Sequence, residues 1–380
     1  MRSSVLLAAL ATSFAFSSPL LADTQSDLDQ CKFVGEISKA EQSIAACDRA
    51  IKDSKVTGPA RAIAFSNRCG WWWAKKDPDR ALSDCNEAIK VDRTYAPAYI
   101  NRGNAYLSKA DSEHAFSDFN EAIRLDPKSA WAYSARGGLY KAMGDFDHAL
   151  ADLNAAIRLD PNYAIAYFFR GDLYRHGGDF DRATVDLNES IRLDPNSAKA
   201  YLSRGRLSYS LGQNPAALSD YDKSIRLDPE DASAYFNRGV AYFLVGGRIA
   251  DAEADFNKAN QLNPQDPYAA LWLDLTERRN DVPSHLAETA KQLDMTAWPA
   301  PVIRHFLGVL SAAQTIAAAS DEDPNKQVGQ TCEANFYSGE LALLKKNKPE
   351  ATRLFKLAAK DCPPGFIEST AAIAELIAKR

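Results

Sequence analysis

The sequence predicts an all-α chain built by stacking helix-turn-helix hairpins, and three observations carry that expectation. A Leu-Asp-Pro phrase recurs at Leu125-Asp126-Pro127, Leu159-Asp160-Pro161, Leu193-Asp194-Pro195 and Leu227-Asp228-Pro229, a constant step of 34 residues. An Arg-Gly pair keeps that step at Arg102-Gly103, Arg136-Gly137, Arg170-Gly171, Arg204-Gly205 and Arg238-Gly239. Within one step the apolar residues fall at helical spacing in two separate halves. A fixed period of this length marks a stacked repeat and takes precedence over any local signal.

Ala96 to Ser129 serves as the unit. Tyr99, Gly103 and Tyr106 form one stripe on its first half, and Ala115, Phe119 and Ala122 form another on its second. Each half is long enough for about three turns with one apolar face. The joints in the next units read Gly144-Asp145, Gly178-Asp179 and Gly212 followed by Asn214-Pro215. Glycine suits the left-handed position past a helix end, Asp or Asn caps the next helix, and proline fits its first turn. The closing proline cannot continue a helix. Small Gly103, Ala115 and Ala122 allow the two helices to approach closely.

These residues resemble the tetratricopeptide repeat, whose pattern is an aromatic, a Gly, a Tyr, an Ala, an aromatic, an Ala and a closing Pro. The resemblance implies an α-solenoid in which neighbouring hairpins share a core and wind into a right-handed superhelix.

Taken in order, residues 1–22 read as a secretory signal: Arg2 gives the positive start, Val5 to Phe16 is apolar, and Ala22 precedes a cut at Asp23. The apolar run is too short for a spanning helix, no other stretch is apolar enough, and no cysteine sits at the cut to take a lipid anchor. The expectation is export into a bacterial periplasm. Residues 23–59 read as an irregular capping hairpin, residues 60–266 as six repeats with one extra residue near Gly246-Gly247, and residues 267–331 as divergent helices. In that divergent part Tyr268 to Arg279, Ser284 to Leu293 and Val302 to Leu310 read as helices. Residues 332–380 return to the repeat, with Gly339, Ala351, Phe355, Ala358 and Pro363 at the repeat intervals and Phe366 to Lys379 as a capping helix.

In the repeat register, Cys69 and Cys85 replace the facing Gly and aromatic of one hairpin, Cys31 and Cys47 occupy equivalent places in the capping hairpin, and Cys332 and Cys362 open and close the last one. Six cysteines allow 15 connectivities, of which the register favours this one. Buried thiols and a metal site are the alternatives; no CxxC occurs and no histidine lies near a pair.

The tail, from Tyr268-Ala269-Ala270-Leu271-Trp272-Leu273 through Trp298 to Gly308 and Cys332 to Ala359, resembles the second half of the NlpI family of bacterial envelope lipoproteins. That resemblance implies an adaptor that brings cell-wall hydrolases to a periplasmic protease, and it makes a homodimer conceivable. The missing anchor cysteine and the larger number of repeats depart from the family.

No catalytic constellation is visible. The five histidines, His114, His148, His176, His285 and His305, have no metal-ligand spacing, and neither a phosphate loop nor a GxSxG motif follows a strand. The expectation is a non-enzymatic protein without cofactor or metal. A net charge of −5 gives no bulk attraction to nucleic acid. Asp118, Asp152, Asp186, Asp220 and Asp255 run in step with Arg102, Arg136, Arg170, Arg204 and Arg238, which predicts ion pairs tying helices together, since the planar guanidinium grips a carboxylate at two points; the alternative is a charged binding ladder.

In the repeat family the first helix of each hairpin lines the concave side. On this chain that side would carry Trp73, Leu107, Trp131, Phe168, Arg175, Arg206, Tyr209, Phe236 and Phe243, with Trp72 in the core. Aromatics with interspersed arginines suit an extended peptide segment of an envelope protein. The alternative is a glycan scaffold, with the same rings stacking on peptidoglycan or exported polysaccharide. Some grooves of this family clamp a C-terminal carboxylate with Lys and Asn; the corresponding places here hold Ile100, Ser134, Phe168, Leu202 and Phe236, which does not support that mode.

Overall fold

A proline just past a second helix, at Pro127, Pro161, Pro195 and Pro229, and a left-handed residue just past a first one, at Lys76, Ala110, Gly144, Gly178 and Gly212, divide this part of the chain into antiparallel pairs. The computed structural model describes residues 19–32, 37–245, 248–363 and 366–377, and every regular element among them is helical. Residues 1–18 of the predicted signal, and Gly246-Gly247 in the predicted bulge, lie outside the described residues. The chain divides into two units, residues 1–161 and 162–380.

The first unit pairs α1 (Pro19–Cys31) with α2 (Ala40–Lys52), α3 (Gly58–Ala74) with α4 (Pro78–Val91), α5 (Ala96–Ser108) with α6 (Ser112–Leu125), and α7 (Ala130–Ala142) with α8 (Phe146–Leu159). The second pairs α9 (Ala164–His176) with α10 (Phe180–Leu193), α11 (Ala198–Ser210) with α12 (Asn214–Leu227), and α13 (Ala232–Val245) with α14 (Ile249–Leu262). It continues with α15 (Pro267–Arg279), the short α16 (Leu286–Thr289), α17 (Ala300–Phe306) and α18 (Ala312–Ala317), and then α19 (Pro324–Leu344), α20 (Lys348–Asp361) and α21 (Ile367–Ile377).

Close approach inside a hairpin depends on the glycine of the Arg-Gly pair. A Cβ at Gly103 would lie 2.5 Å from the Phe119 ring, and one at Gly205 would lie 2.6 Å from the Tyr221 ring. Between α3 and α4 a Cys69–Cys85 bond takes that place. Cys31 is joined to Cys47 and Cys332 to Cys362. The turns use left-handed Gly144, Gly178 and Gly212. Asp145 and Asp179 then accept from the His148 and Arg182 amides and cap α8 and α10. Asn214 is not a cap: Gln213 stands at that position, without a side-chain bond, and Asn214 is the first residue of α12.

Three further expectations are corrected. Trp71, not Trp72, is the fully buried tryptophan of α3, its indole N–H donating to the Cys31 carbonyl at 3.2 Å. Trp72 is half-buried, with the Arg80 guanidinium 3.7 Å from the centre of its ring. The last hairpin opens at Pro324, so Cys332 sits well inside α19 rather than at its start. The stretch read as a helix from Ser284 to Leu293 is only α16 and a 3-10 turn over Ala290–Gln292.

The second unit has the larger core, centred on Trp272 of α15. Its ring meets Phe243 at 5.1 Å, Phe256 at 5.6 Å and Phe336 at 5.7 Å, which joins α13, α14 and α19. No described helix is long and apolar enough to cross a membrane.

Candidate functional site

The arginines in step with the repeat are structural. Arg102, Arg136, Arg204 and Arg238 each grip the carboxylate of Asp118, Asp152, Asp220 or Asp255 through Nε and Nη2 at 2.7–2.9 Å. Arg170 holds Asp186 in the same way. Nη1 reaches back to the preceding hairpin, for example from Arg102 to Asn86 at 2.8 Å and from Arg238 to Asp222 at 2.7 Å. The forks of Arg102, Arg136, Arg204 and Arg238 thus tie two helices of one hairpin and a third from the hairpin before. Arg68 with Asp84 is one more such pair. It stands one step earlier in the sequence, beside Cys69 and Cys85. Burial pushes the carboxyls of Asp84 and Asp255 up, against the pull of their arginines.

The nine residues predicted for a concave groove do not share one fate. In the first unit Trp73 is exposed, its indole N–H donating to Ser108 Oγ at 3.1 Å, while Leu107 and Trp131 lean against the core of α5 to α7. In the second unit Phe168 is half-buried against Phe169, Ala183 and Leu187. Phe243 is a correction: it is 3 % exposed, packed edge-on against Trp272 with the Arg279 guanidinium 4.4 Å from its ring centre, and belongs to the core.

The remaining four, Arg175, Arg206, Tyr209 and Phe236, line one cavity of about 710 Å³. α9, α11 and α13 form one wall; Tyr268 of α15, Glu333 of α19 and the start of α21, with Glu368 and Thr370, complete it. Neighbouring first helices bring these four together because the repeat turns the same face of each toward the same side.

The cavity is polar at two ends. At one, Arg175 Nε and Nη2 both donate to Asp172 Oδ1 at 3.0 and 2.9 Å, and Ser203 Oγ donates to the same oxygen at 2.6 Å, locking α9 to α11. Arg206 stands beside this cluster; burial and the neighbouring Arg175 push its pKa down. At the other end Glu333 Oε2 accepts from the Tyr268 hydroxyl at 2.9 Å and from Trp298 Nε1 at 2.6 Å. Burial raises Glu333, the two donors opposing it. Glu368, 6 % exposed and accepting from the Tyr337 hydroxyl at 3.3 Å, is pushed up to about 8 by burial and by Glu333. Tyr268, Glu333 and Glu368 were not anticipated from the sequence. The only signal was carboxylates standing inside apolar stretches, Glu333 before Ala334 to Tyr337 and Glu368 before Ala371 to Ala374.

No group of three or more metal-ligating side chains occurs among the described residues. The site offers donors, a pair of carboxyls and aromatic faces, which suits binding.

Models of the tetratricopeptide repeat match residues 96–129 and 135–198, and a model described as TPR repeat matches residues 205–246. The helical hairpins also superpose on the crystal structure of the APC/C hetero-tetramer Cut9–Hcn1, with a TM-score of 0.60 and 16 % identity, over 75 % of this chain and 54 % of that one. The chain thus carries tetratricopeptide repeats within residues 96–246, and its fold is an α-solenoid, a scaffold for protein–protein interaction. It resembles NlpI: a curated protein of Haemophilus influenzae named Lipoprotein NlpI homolog is 31 % identical over 140 residues, 36 % of this chain. The chain spans less than half of that relative's length, 45 %.

Proposed function

We propose that this protein is a non-enzymatic adaptor of the bacterial cell envelope that holds an extended segment of another envelope protein in the cavity of its second unit. The observation that carries the reading is the cavity itself, where Phe236, Tyr209 and Tyr268 stand beside Arg175 and Arg206. Aromatic and arginine side chains give a polypeptide large contact area and donors for its carbonyls or carboxylates. The likeness to an NlpI lipoprotein supports an envelope role and points to cell-wall hydrolases or a protease as partners. Three joined cysteine pairs fit an oxidising compartment such as the periplasm.

The test is capture by the immobilised full chain, disulfides formed, from an extract of the source cell's envelope, in parallel with a Phe236→Ala, Arg175→Ala variant of unchanged helical content. Retention of a cell-wall hydrolase or protease that the variant loses is the expected result. Retention that the variant keeps moves the site elsewhere. Retention of saccharide fragments alone replaces the protein reading with a glycan scaffold.

A further inference from the structure

α21 lies on the face of the second unit that a stacked repeat leaves open to a ligand. It packs against α19 and α20 and also against α13, a first helix of the repeat. Its first residues, Ile367, Glu368 and Thr370, line one cavity together with α9, α11 and α13. The Glu368 charge bears on the hydroxyl of Tyr209 in α11.

The helix is held there by little apolar surface. Its fully buried apolar side chains are the alanines Ala371 and Ala372, and Ile367 and Leu376 are half-buried. Ile373 and Ile377 are 45 % and 64 % exposed. Alanines bury little area, so the hydrophobic contribution to docking is small. A helix of 11 residues is not stable alone in water.

Two carboxyl groups fasten it instead. Glu375 accepts from Arg279 of α15 at 2.7 Å, and Arg279 also holds Glu340 of α19, so it stays paired when α21 leaves. Glu368 accepts from the Tyr337 hydroxyl. Around Glu368 stand Glu333 and Tyr337 of α19, Tyr268 of α15 and Tyr209 of α11. Asp266 lines the same cavity, α13 brings Ser233, Phe236 and Asn237 to it, and α20 turns Arg353, Lys356 and Lys360 to solvent. Arg175, His176 and Arg206 stand toward the other end of the cavity, and no cation among the described residues offsets the burial of Glu368. Charging this carboxyl in place is therefore unfavourable, and a proton keeps it seated. The bond of Cys362 to Cys332 is the last covalent tie of the chain, and Phe366 then rests on Gly329 of α19. α21 can leave without parting α19 from α20.

We propose that α21 is a strap over the partner-binding face of the second unit, latched by the proton on Glu368, and that loss of this proton frees the strap and admits the partner segment. This is a regulation of the adaptor's cavity and rests on that reading. The seated helix keeps a proton that the released helix loses. The strap is therefore firmest below about pH 4.5 and loosens roughly tenfold with each unit up to pH 8, a few hundredfold between pH 5 and pH 8. A partner that needs the open form gains apparent affinity by the same factor.

Hydrogen exchange of the full chain, disulfides formed and no partner added, reads the strap directly. Amides of α21 should be less protected than those of α19 at every pH and insensitive to sub-denaturing urea. After correction for intrinsic rates they should lose roughly tenfold in protection per unit between pH 5 and pH 8. Glu368→Gln should abolish that slope, whereas Glu375→Gln should lower protection by a similar factor at every pH and keep it. Equal protection of α21 and α19 would show that the helix leaves only when the unit unfolds. A flat profile in the wild type, or the same slope in Glu368→Gln, would show that Glu368 is not the latch. Each of these results overturns the proposal. The covering role is read by repeating the envelope capture at pH 6 and pH 8. The wild type should retain its partner at least about tenfold better at pH 8, and Glu368→Gln should show no such gain. Equal retention by the wild type at both values overturns the strap. Capture of nothing by either protein removes the adaptor reading, and the exchange profile still decides the latch.

Discussion

Glu368 makes the second unit's stability depend on pH, and replacing it with glutamine should remove that dependence. Its carboxyl lies in the first turn of α21 and is pushed to about 8, against an ordinary value of 4.5, by burial first and by Glu333 second. Tyr337 and Glu333 face it from α19, Tyr268 from α15 and Tyr209 from α11. The folded pKa is raised, so the folded chain keeps a proton that the unfolded chain has lost. The stabilisation is therefore complete below about pH 4.5 and disappears as pH rises through 8. Each pH unit in that window removes about 1.4 kcal/mol, so the loss from pH 5 to pH 8 is on the order of 3–4 kcal/mol. Glutamine has the same shape and no proton to lose. In chemical denaturation followed by circular dichroism, Glu368→Gln should gain on the wild type steadily across that range, starting from near equality at pH 5. His285, raised by its bond to Glu277, and His305, lowered by burial, also titrate nearby, but they are common to both proteins and cancel in the difference. Parallel pH profiles for the two proteins would refute the reasoning.

Three other perturbations test the scaffold. Gly205→Ala drives a methyl to 2.6 Å from the ring of Tyr221, which is 1 % exposed and closely confined, so it should lose about 1–3 kcal/mol even though alanine is the better helix former; a gain in melting temperature would contradict the close-approach argument. Ala110 and Lys346 occupy the left-handed turn position at φ 59° where other repeats have glycine, so Ala110→Gly and Lys346→Gly should each stabilise by about 1 kcal/mol in urea titration, and Gly144→Ala should do the opposite. Cys332→Ser with Cys362→Ser opens a loop whose ends are 30 residues apart and should lower stability by about 4 kcal/mol; reductant should then have less effect on this variant than on the wild type.

The parts of the fold that were legible in the sequence are those locked to the period. Gly103 against Phe119 and Arg102 against Asp118 recur at one step, and one hairpin explains them all. Arg68 with Asp84 obeys the same step, but the neighbouring cysteines replace the Gly and aromatic that mark it. Beyond Pro264 the period lapses. Nothing local says that α19 begins at Pro324, or that Trp272 covers Phe243 while leaving Phe236 at the cavity. Those two phenylalanines are seven residues apart, on nearly one stripe of α13, and their difference lies in a helix that packs on one end of it.

Arg206 shows most directly where period arithmetic stops. Its partner by the rule that joins Arg204 to Asp220 would be Asp222. In the structure Asp222 belongs instead to Arg238, whose Nη1 reaches it at 2.7 Å while Nε and Nη2 hold Asp255. Two residues along a helix are a rotation of about 200°, so Arg206 leaves α11 on the side away from Arg204 and its ladder. The sequence shows two arginines flanking a glycine, both with an aspartate at the right distance. Only the three-dimensional arrangement shows that one closes the hairpin and the other faces the cavity without a hydrogen-bonded partner among the described residues.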